Sequence, residues 1–220
     1  MSKINIGILG LGSRSTTYYL SELNKKYNQL KGSYSTCPLL LLNADFNSIN
    51  SLLPYASIEL DKAVNEYVTQ LETFDIEHIL VPNITLHETI DRLKISKNII
   101  HPIHLTIQKI NDLNCNKVVI FGSLFSMKSP YIKSFFIENN INVLTPTEED
   151  MKTIDEVRKH IYHETESPEL IKKYLSIIAK YTEENPVILS CTELSILKGR
   201  GNKNVIDMVE IQIENAVKTC

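Results

Sequence analysis

A thiol placed directly after an apolar run is the sharpest chemical signal in this sequence. Cys191 follows Val187-Ile188-Leu189-Ser190 and precedes Thr192 and Glu193. Parallel α/β sheets display reactive groups at the carboxyl ends of their strands, and a cysteine there becomes a base when N–H groups or a helix N-terminus favour its thiolate. The ordinary thiol pKa is about 8.5, so the expectation is a lowered value at Cys191 and selective alkylation there at low pH. The competing reading is a small buried hydrophobe, and it is the reading given to Cys37, Cys115 and Cys220, which lie in no such context.

Other polar clusters occupy comparable positions. Asn83-Ile84-Thr85-Leu86-His87 follows Ile79-Leu80-Val81-Pro82, and Gly122-Ser123-Leu124-Phe125-Ser126 follows Lys117 to Phe121. The second cluster offers hydroxyls and N–H groups ahead of a helix, which suits a carboxylate or phosphate and equally suits helix capping. Ser13 and Asp45 stand just past two further apolar runs. Thr147-Glu148-Glu149-Asp150 reads as a solvated helix start favoured by the helix dipole.

Two patterns fail on spacing. Gly7-Ile8-Leu9-Gly10-Leu11-Gly12 is Gly-x-x-Gly-x-Gly, not the Gly-x-Gly-x-x-Gly of a dinucleotide site, and Asp45 lies well past the roughly 20-residue spacing of a ribose-binding acid. These glycines are better read as turns that let N–H groups face a carboxylate, so no nicotinamide cofactor is expected. His101 and His104 flank Pro102 without a third ligand nearby, so no metal is expected.

The elements that must position these groups alternate. Ile4 to Gly10 is a strand followed by a hydroxyl-capped helix. Pro38 to Leu42 leads to a helix over about Asp45 to Leu53, and Ile79 to Pro82 leads to Leu86 to Leu93. The order then restarts with Lys117 to Gly122 and a helix from Tyr131 to Glu138. Asn142 to Leu144, helices from Glu148 to His160 and from Pro168 to Tyr181, and Val187 to Ser190 complete it. Continuous apolar runs are the mark of parallel strands covered on both faces. Gly10 and Gly122 close the first strand of each half, and Asn83 and Cys191 follow the third, at nearly the same offset of about 110 residues. The fold expected is α/β, built from two pseudo-symmetric Rossmann-like lobes. Each has a mostly parallel sheet flanked by helices, and a cleft lies between them. Residues 1–98 plus 206–220 form one lobe and 99–205 the other.

Composition agrees with such a fold and narrows the partners. The 43% hydrophobic and 22% charged content over 220 residues is that of a globular chain with a real core, not of a disordered or disulfide-stapled one. A net charge of -3 is too balanced to attract nucleic acid or an anionic membrane. The four widely spaced cysteines include no Cys-x-x-Cys pair, which fits a reducing cytoplasm. The N-terminal apolar run falls far short of the roughly 20 residues that cross a bilayer and reads as a strand.

Taken together, Gly7-Ile8-Leu9-Gly10, Ala44-Asp45-Phe46-Asn47-Ser48-Ile49, Phe121-Gly122-Ser123-Leu124-Phe125-Ser126-Met127 and Leu189-Ser190-Cys191-Thr192-Glu193-Leu194 are similar to motifs of the cofactor-independent aspartate/glutamate racemases. The last two blocks resemble that family's Gly-Thr-x-Phe-Thr-Met loop and Gly-Cys-Thr-Glu-Ile motif. The resemblance implies two thiols flanking a substrate α-carbon, one removing its proton and the other returning one to the opposite face. Cys191 would be one of them. Asn83 stands where the family carries the other, within Val81-Pro82-Asn83-Ile84-Thr85-Leu86-His87 against the usual Cys-Asn-Thr-x-His, and an amide cannot titrate. Leu11-Gly12-Ser13-Arg14 also departs from the common Gly-Met-Gly-Pro. The resemblance further implies that Thr85, Ser123, Ser126, Thr192, Ser13 and Asp45 hold substrate. It implies an acidic amino acid or small dicarboxylate as ligand, no cofactor, and a homodimer. The alternatives are a single-thiol decarboxylase or isomerase of a small dicarboxylate, and a non-catalytic amino-acid-binding protein.

Overall fold

The structure, a computed structural model, describes residues 3–199 and 201–220. Contacts divide the chain into two units: Met1–His101 with Gln212–Cys220, and Pro102–Ile211.

Unit 1 opens with β1 (Ile6–Gly10), α1 (Ser13–Lys31), β2 (Leu39–Asn43), α2 (Phe46–Asn50) and α3 (Ile58–Glu72). It continues through β3 (His78–Leu80), a 3-10 turn (Ile84–Leu86), α4 (His87–Ile90) and β4 (Asn98–Ile99). The four strands are parallel in the order β2-β1-β3-β4. Central β1 is buried along its whole length, whereas the leucines of edge strand β2 are only half-buried. Helix α3 goes beyond the expected elements. Ser57 caps it by accepting from the Leu60 N–H, Glu59 and Asp61 sit in its first turn, and Leu60, Val64, Val68 and Leu71 form one buried stripe. Each buried aliphatic side chain contributes about 1.5–3 kcal/mol, so this stripe is a main reason the helix forms. The helix expected over Asp45 to Leu53 is confined to α2, with Leu52 and Leu53 closing turns behind it and Pro54 unable to continue it. The one expected over Leu86 to Leu93 is likewise reduced to the 3-10 turn and α4.

Unit 2 comprises α5 (Pro102–Asp112), β5 (Lys117–Phe121), α6 (Leu124–Lys128), α7 (Pro130–Glu138), β6 (Asn142–Leu144) and α8 (Glu148–His163). It ends with α9 (Pro168–Thr182), β7 (Val187–Leu189), α10 (Thr192–Ile196) and β8 (Val205–Asp207). Its parallel sheet has the order β6-β5-β7-β8, the same second-first-third-fourth arrangement as unit 1. The molecule therefore contains two parallel four-stranded sheets flanked by helices. Thr147 caps α8 and accepts from the Asp150 N–H, with Glu148 and Glu149 exposed at its start. Val119, Phe121, Ile154, Val157, Tyr174 and Leu189 belong to the core beneath.

Helix α11 (Met208–Thr219) begins in unit 2 and ends in unit 1. Within unit 1 its Gln212 accepts from the Tyr19 hydroxyl at 2.6 Å and donates to the Ile100 carbonyl at 2.6 Å. Among the described residues no helix is long and apolar enough to cross a membrane.

Candidate active site

In unit 2 the turn after β7, the loop after β5 and helix α8 are tied together, since α6 and α10 both pack on α8. Gly122 follows β5 where a Cβ would lie 2.4 Å from both the Ser126 and Ser190 hydroxyl oxygens, so a larger residue would have to displace those hydroxyls. Ser123 then caps α6. Its Oγ accepts from the Ser126 N–H at 3.1 Å, and the two hydroxyls are 3.0 Å apart. The next N–H, of Leu124, donates to Asp155 Oδ1 at 3.2 Å, and Arg158 Nε donates to the same oxygen at 3.1 Å. Lys159 pairs with Asp155 Oδ2 at 2.6 Å. Burial opposes the charge on Asp155, yet Lys159, Arg158 and the Leu124 N–H outweigh it and hold its carboxyl below the usual carboxylate range. Asp155 thus braces the serine loop and aims Arg158 in one arrangement.

Cys191 has extended backbone (φ −130°, ψ 131°) as the residue capping α10, but its side chain makes no capping bond. Its Sγ instead donates to Glu193 Oε2 at 2.7 Å. Burial and the Glu193 carboxylate push the thiol pKa well up, against the Arg158 cation and the Glu193 N–H, which favour thiolate and lose. This corrects the expectation of a lowered value: α10 is a short helix, and a carboxylate occupies the place where the expectation put only donors. Burial likewise disfavours the Arg158 cation, but Cys191, Asp155 and Glu193 raise its pKa on balance. Thr192 and Glu193 are both buried in the first turn of α10. Behind them Ser195 Oγ donates to Asp207 Oδ1 at 2.8 Å, and Lys198 donates to Asp207 at 2.7 Å and to Glu210 at 2.6 Å. This network fixes α10 to the end of β8.

The corresponding loops of unit 1 spend their polar groups locally. Asn83 follows β3 and caps the 3-10 turn, its Oδ1 accepting from the Thr85 N–H at 3.0 Å. His87 is fully buried, with Nε2 3.2 Å from the Val81 carbonyl and its ring edge-on to His101. Gly12, at φ 76°, turns the chain in a left-handed conformation that favours glycine, and Ser13 begins α1 exposed to solvent. Asp45 is an exposed cap on α2, accepting from the Asn47 N–H at 3.2 Å.

The structure therefore brings Ser123, Ser126, Cys191 and Thr192 together within unit 2, and Ser13, Asp45, Asn83 and Thr85 fall on strand-end loops of unit 1. Sequence reasoning missed Asp155 and Arg158 and gave Glu193 no role of its own. A signal existed: Asp155 interrupts the buried stripe of Ile154, Val157 and Ile161, and a buried acid with a base three residues on marks a charge held for a purpose.

Residues 8–216 match the sequence profile of the Asp/Glu/Hydantoin racemase family. Among proteins of curated function, none matches the sequence. The fold is similar to that of a candidate Asp/Glu racemase from Yersinia pestis, with a TM-score of 0.85, 19% identity and 98% of each chain covered. An aspartate racemase homologue from Pyrococcus horikoshii OT3 aligns with a TM-score of 0.82, 19% identity and 98% of each chain covered. For Picrophilus torridus aspartate racemase the TM-score is 0.79 at 18% identity, over 99% of this chain and 94% of that one.

Proposed function

The chain belongs to the Asp/Glu/Hydantoin racemase family, and on that premise we propose that it is a cofactor-independent isomerase of an acidic amino acid such as aspartate or glutamate. The observation that carries this reading is the hydrogen bond from the Cys191 thiol to the Glu193 carboxylate. A thiol whose proton is already directed at a carboxylate can pass it to that carboxylate. The thiolate left behind, favoured by Arg158, then removes the α-proton of the substrate. Run backwards, the same pair returns a proton to the face it came from, so inversion needs a second donor, such as a solvent water, on the opposite face. The raised thiol pKa suits the donating half of this cycle, and the Arg158 cation, which favours the thiolate, supports the accepting half. By the family resemblance, Thr192, Ser123 and Ser126 would hold carboxylate oxygens of the substrate, and Thr85, Ser13 and Asp45 are the further substrate-binding residues of the reading. A homodimer working in the cytoplasm completes the reading.

One observation favours a second reading. The Asn83 carbonyl oxygen is engaged as a helix cap, and its amide does not titrate, so chemistry from one face only is the alternative. This would be single-thiol isomerisation or decarboxylation of a small dicarboxylate, or binding without turnover. Incubation with each enantiomer of aspartate and glutamate in deuterated water, without added cofactor, separates these. Inversion with deuterium uptake is the expected result. Uptake with retention points to one-sided chemistry, and ligand binding with neither signal would sink the isomerase.

A further inference from the structure

Cys37 and Cys220 lie 183 positions apart in the sequence, yet in unit 1 their sulfurs approach to 2.8 Å. Both ends of this contact are held independently of the thiols. The Cys37 N–H donates to Asn24 Oδ1 of α1 at 3.0 Å, fixing the segment that enters β2. Beside Cys220, the Thr219 carbonyl accepts from Asn5 Nδ2 at 3.0 Å, and Lys26 pairs with Glu214 at 2.8 Å, fixing the end of α11. The pairing therefore follows from the way α11 docks on α1 and the start of β1. Among the described residues, the other two cysteine sulfurs hydrogen-bond to oxygen, Cys115 to the Lys117 carbonyl and Cys191 to Glu193, and Cys220 also donates to the Ala216 carbonyl at 3.6 Å.

We propose that Cys37 and Cys220 are a redox site, oxidised by small disulfides such as oxidised glutathione to an intrachain disulfide that fastens the end of α11 to the segment before β2. The division of labour is readable in the surroundings. Cys37 is only 7% exposed, and its thiol is pushed up, first by its hydrogen bond to Cys220 and then by burial. Cys220 is more open and is lowered, first by the hydrogen bond from Cys37, with Lys31 assisting against burial. Cys220 thiolate attacks the small disulfide, forming a mixed disulfide and expelling one small thiolate, which takes up the proton Cys220 had lost. Cys37, losing its proton to solvent, then attacks the Cys220 sulfur. The Cys37–Cys220 bond forms, the mixed disulfide breaks, and the second small thiolate leaves and is protonated. The protein loses two electrons and two protons, and the small disulfide gains both. This chemistry is separate from that proposed at Cys191.

The test is to equilibrate fully reduced, full-length protein in glutathione buffers of increasing oxidised fraction and follow intact mass, free thiols and a peptide map. Loss of two of the four thiols is expected, with a mass decrease of two hydrogens and one cross-linked peptide joining Cys37 to Cys220. The melting temperature should rise by roughly 5 °C or more, because a long loop is closed in the unfolded chain. Cys220→Ser and Cys220→Ala should each keep the reduced protein's circular dichroism and remove the cross-link. Glutathione adducts without a cross-link, linkage through Cys115 or Cys191, dimers on a non-reducing gel, or four thiols surviving the most oxidising buffer would each overturn the site. A cross-link that leaves the melting temperature unchanged would overturn the fastening.

Discussion

The two units have the same strand order but treat the residue after the third strand in opposite ways. In unit 1, Asn83 turns its carbonyl oxygen back onto the Thr85 N–H and satisfies the backbone of the turn. In unit 2, Cys191 leaves the first turn of α10 uncapped by its side chain and directs its proton at Glu193, with Arg158 near enough to favour the thiolate. The loops after the first strands differ in the same sense. Gly12 makes a bare left-handed turn, whereas Ser123 caps α6 and the adjoining Leu124 N–H is linked through Asp155 to Arg158. The difference shows that strand topology supplies equivalent positions but not equivalent chemistry. A strand end becomes reactive when the side chain there is relieved of capping and other elements bring charge to it.

The largest effect is expected from Cys191→Ser, which removes the thiol at the end of β7. α-Proton exchange should fall by about 10²- to 10⁴-fold, the range for losing a general acid or base, and unchanged exchange would erase the contrast between the units. Glu193→Gln keeps an acceptor oxygen but cannot take the proton, so turnover should fall by roughly 10- to 10³-fold. Because the carboxylate also pushes the thiol up, the same variant should begin to react with iodoacetamide at lower pH than the parent. A variant that gained reactivity and kept full turnover would remove Glu193 from the proton path. Arg158→Gln should do the reverse, moving thiol alkylation to higher pH. At a fixed pH below the thiol pKa, the thiolate fraction and hence the rate should drop about tenfold for every whole pH step by which the alkylation midpoint rises. The smallest effect belongs to Asn83→Cys. A second thiol at the equivalent position should raise inversion relative to exchange with retention by a few-fold at most, since a misplacement of about 1 Å already costs 10²-fold. The lost cap should cost about 1 kcal/mol, seen as a melting temperature lower by roughly 2–4 °C. Acidic-ligand binding with no gain in inversion would show that unit 1 has left two-sided chemistry.

How far such features can be read from sequence depends on whether they are local. Strands β1, β2, β5 and β7 are legible because they carry continuous apolar runs, and the cluster after β7 stands out by composition. Helix α3 is written as plainly, in the spacing of Leu60, Val64, Val68 and Leu71, but it carries no chemical group that would draw attention to it. Strand β4 spans only Asn98–Ile99 and exists through its register with β3, which no local pattern encodes. The direction in which the Cys191 pKa moves is not local either, because it depends on Glu193 curling back two residues and on Arg158 arriving from another helix. The approach of Cys37 to Cys220 is equally out of reach, as it is set by where α11 docks.

That docking has a consequence for the order in which the protein is made. Unit 2 is one uninterrupted stretch, Pro102–Ile211, and all of its strands have been synthesised once Ile211 emerges. Unit 1 begins first yet waits for Gln212–Cys220, which carry the buried Ile213, Ala216 and Val217 and the hydrogen bonds to Tyr19 and Ile100. The order expected on the ribosome is therefore the reverse of the usual N-terminal-first folding of domains. Nascent chains stalled with Ile211 just outside the exit tunnel should resist protease over unit 2 while unit 1 is still cut, its apolar seat for α11 open to chaperones until Gln212–Cys220 arrive.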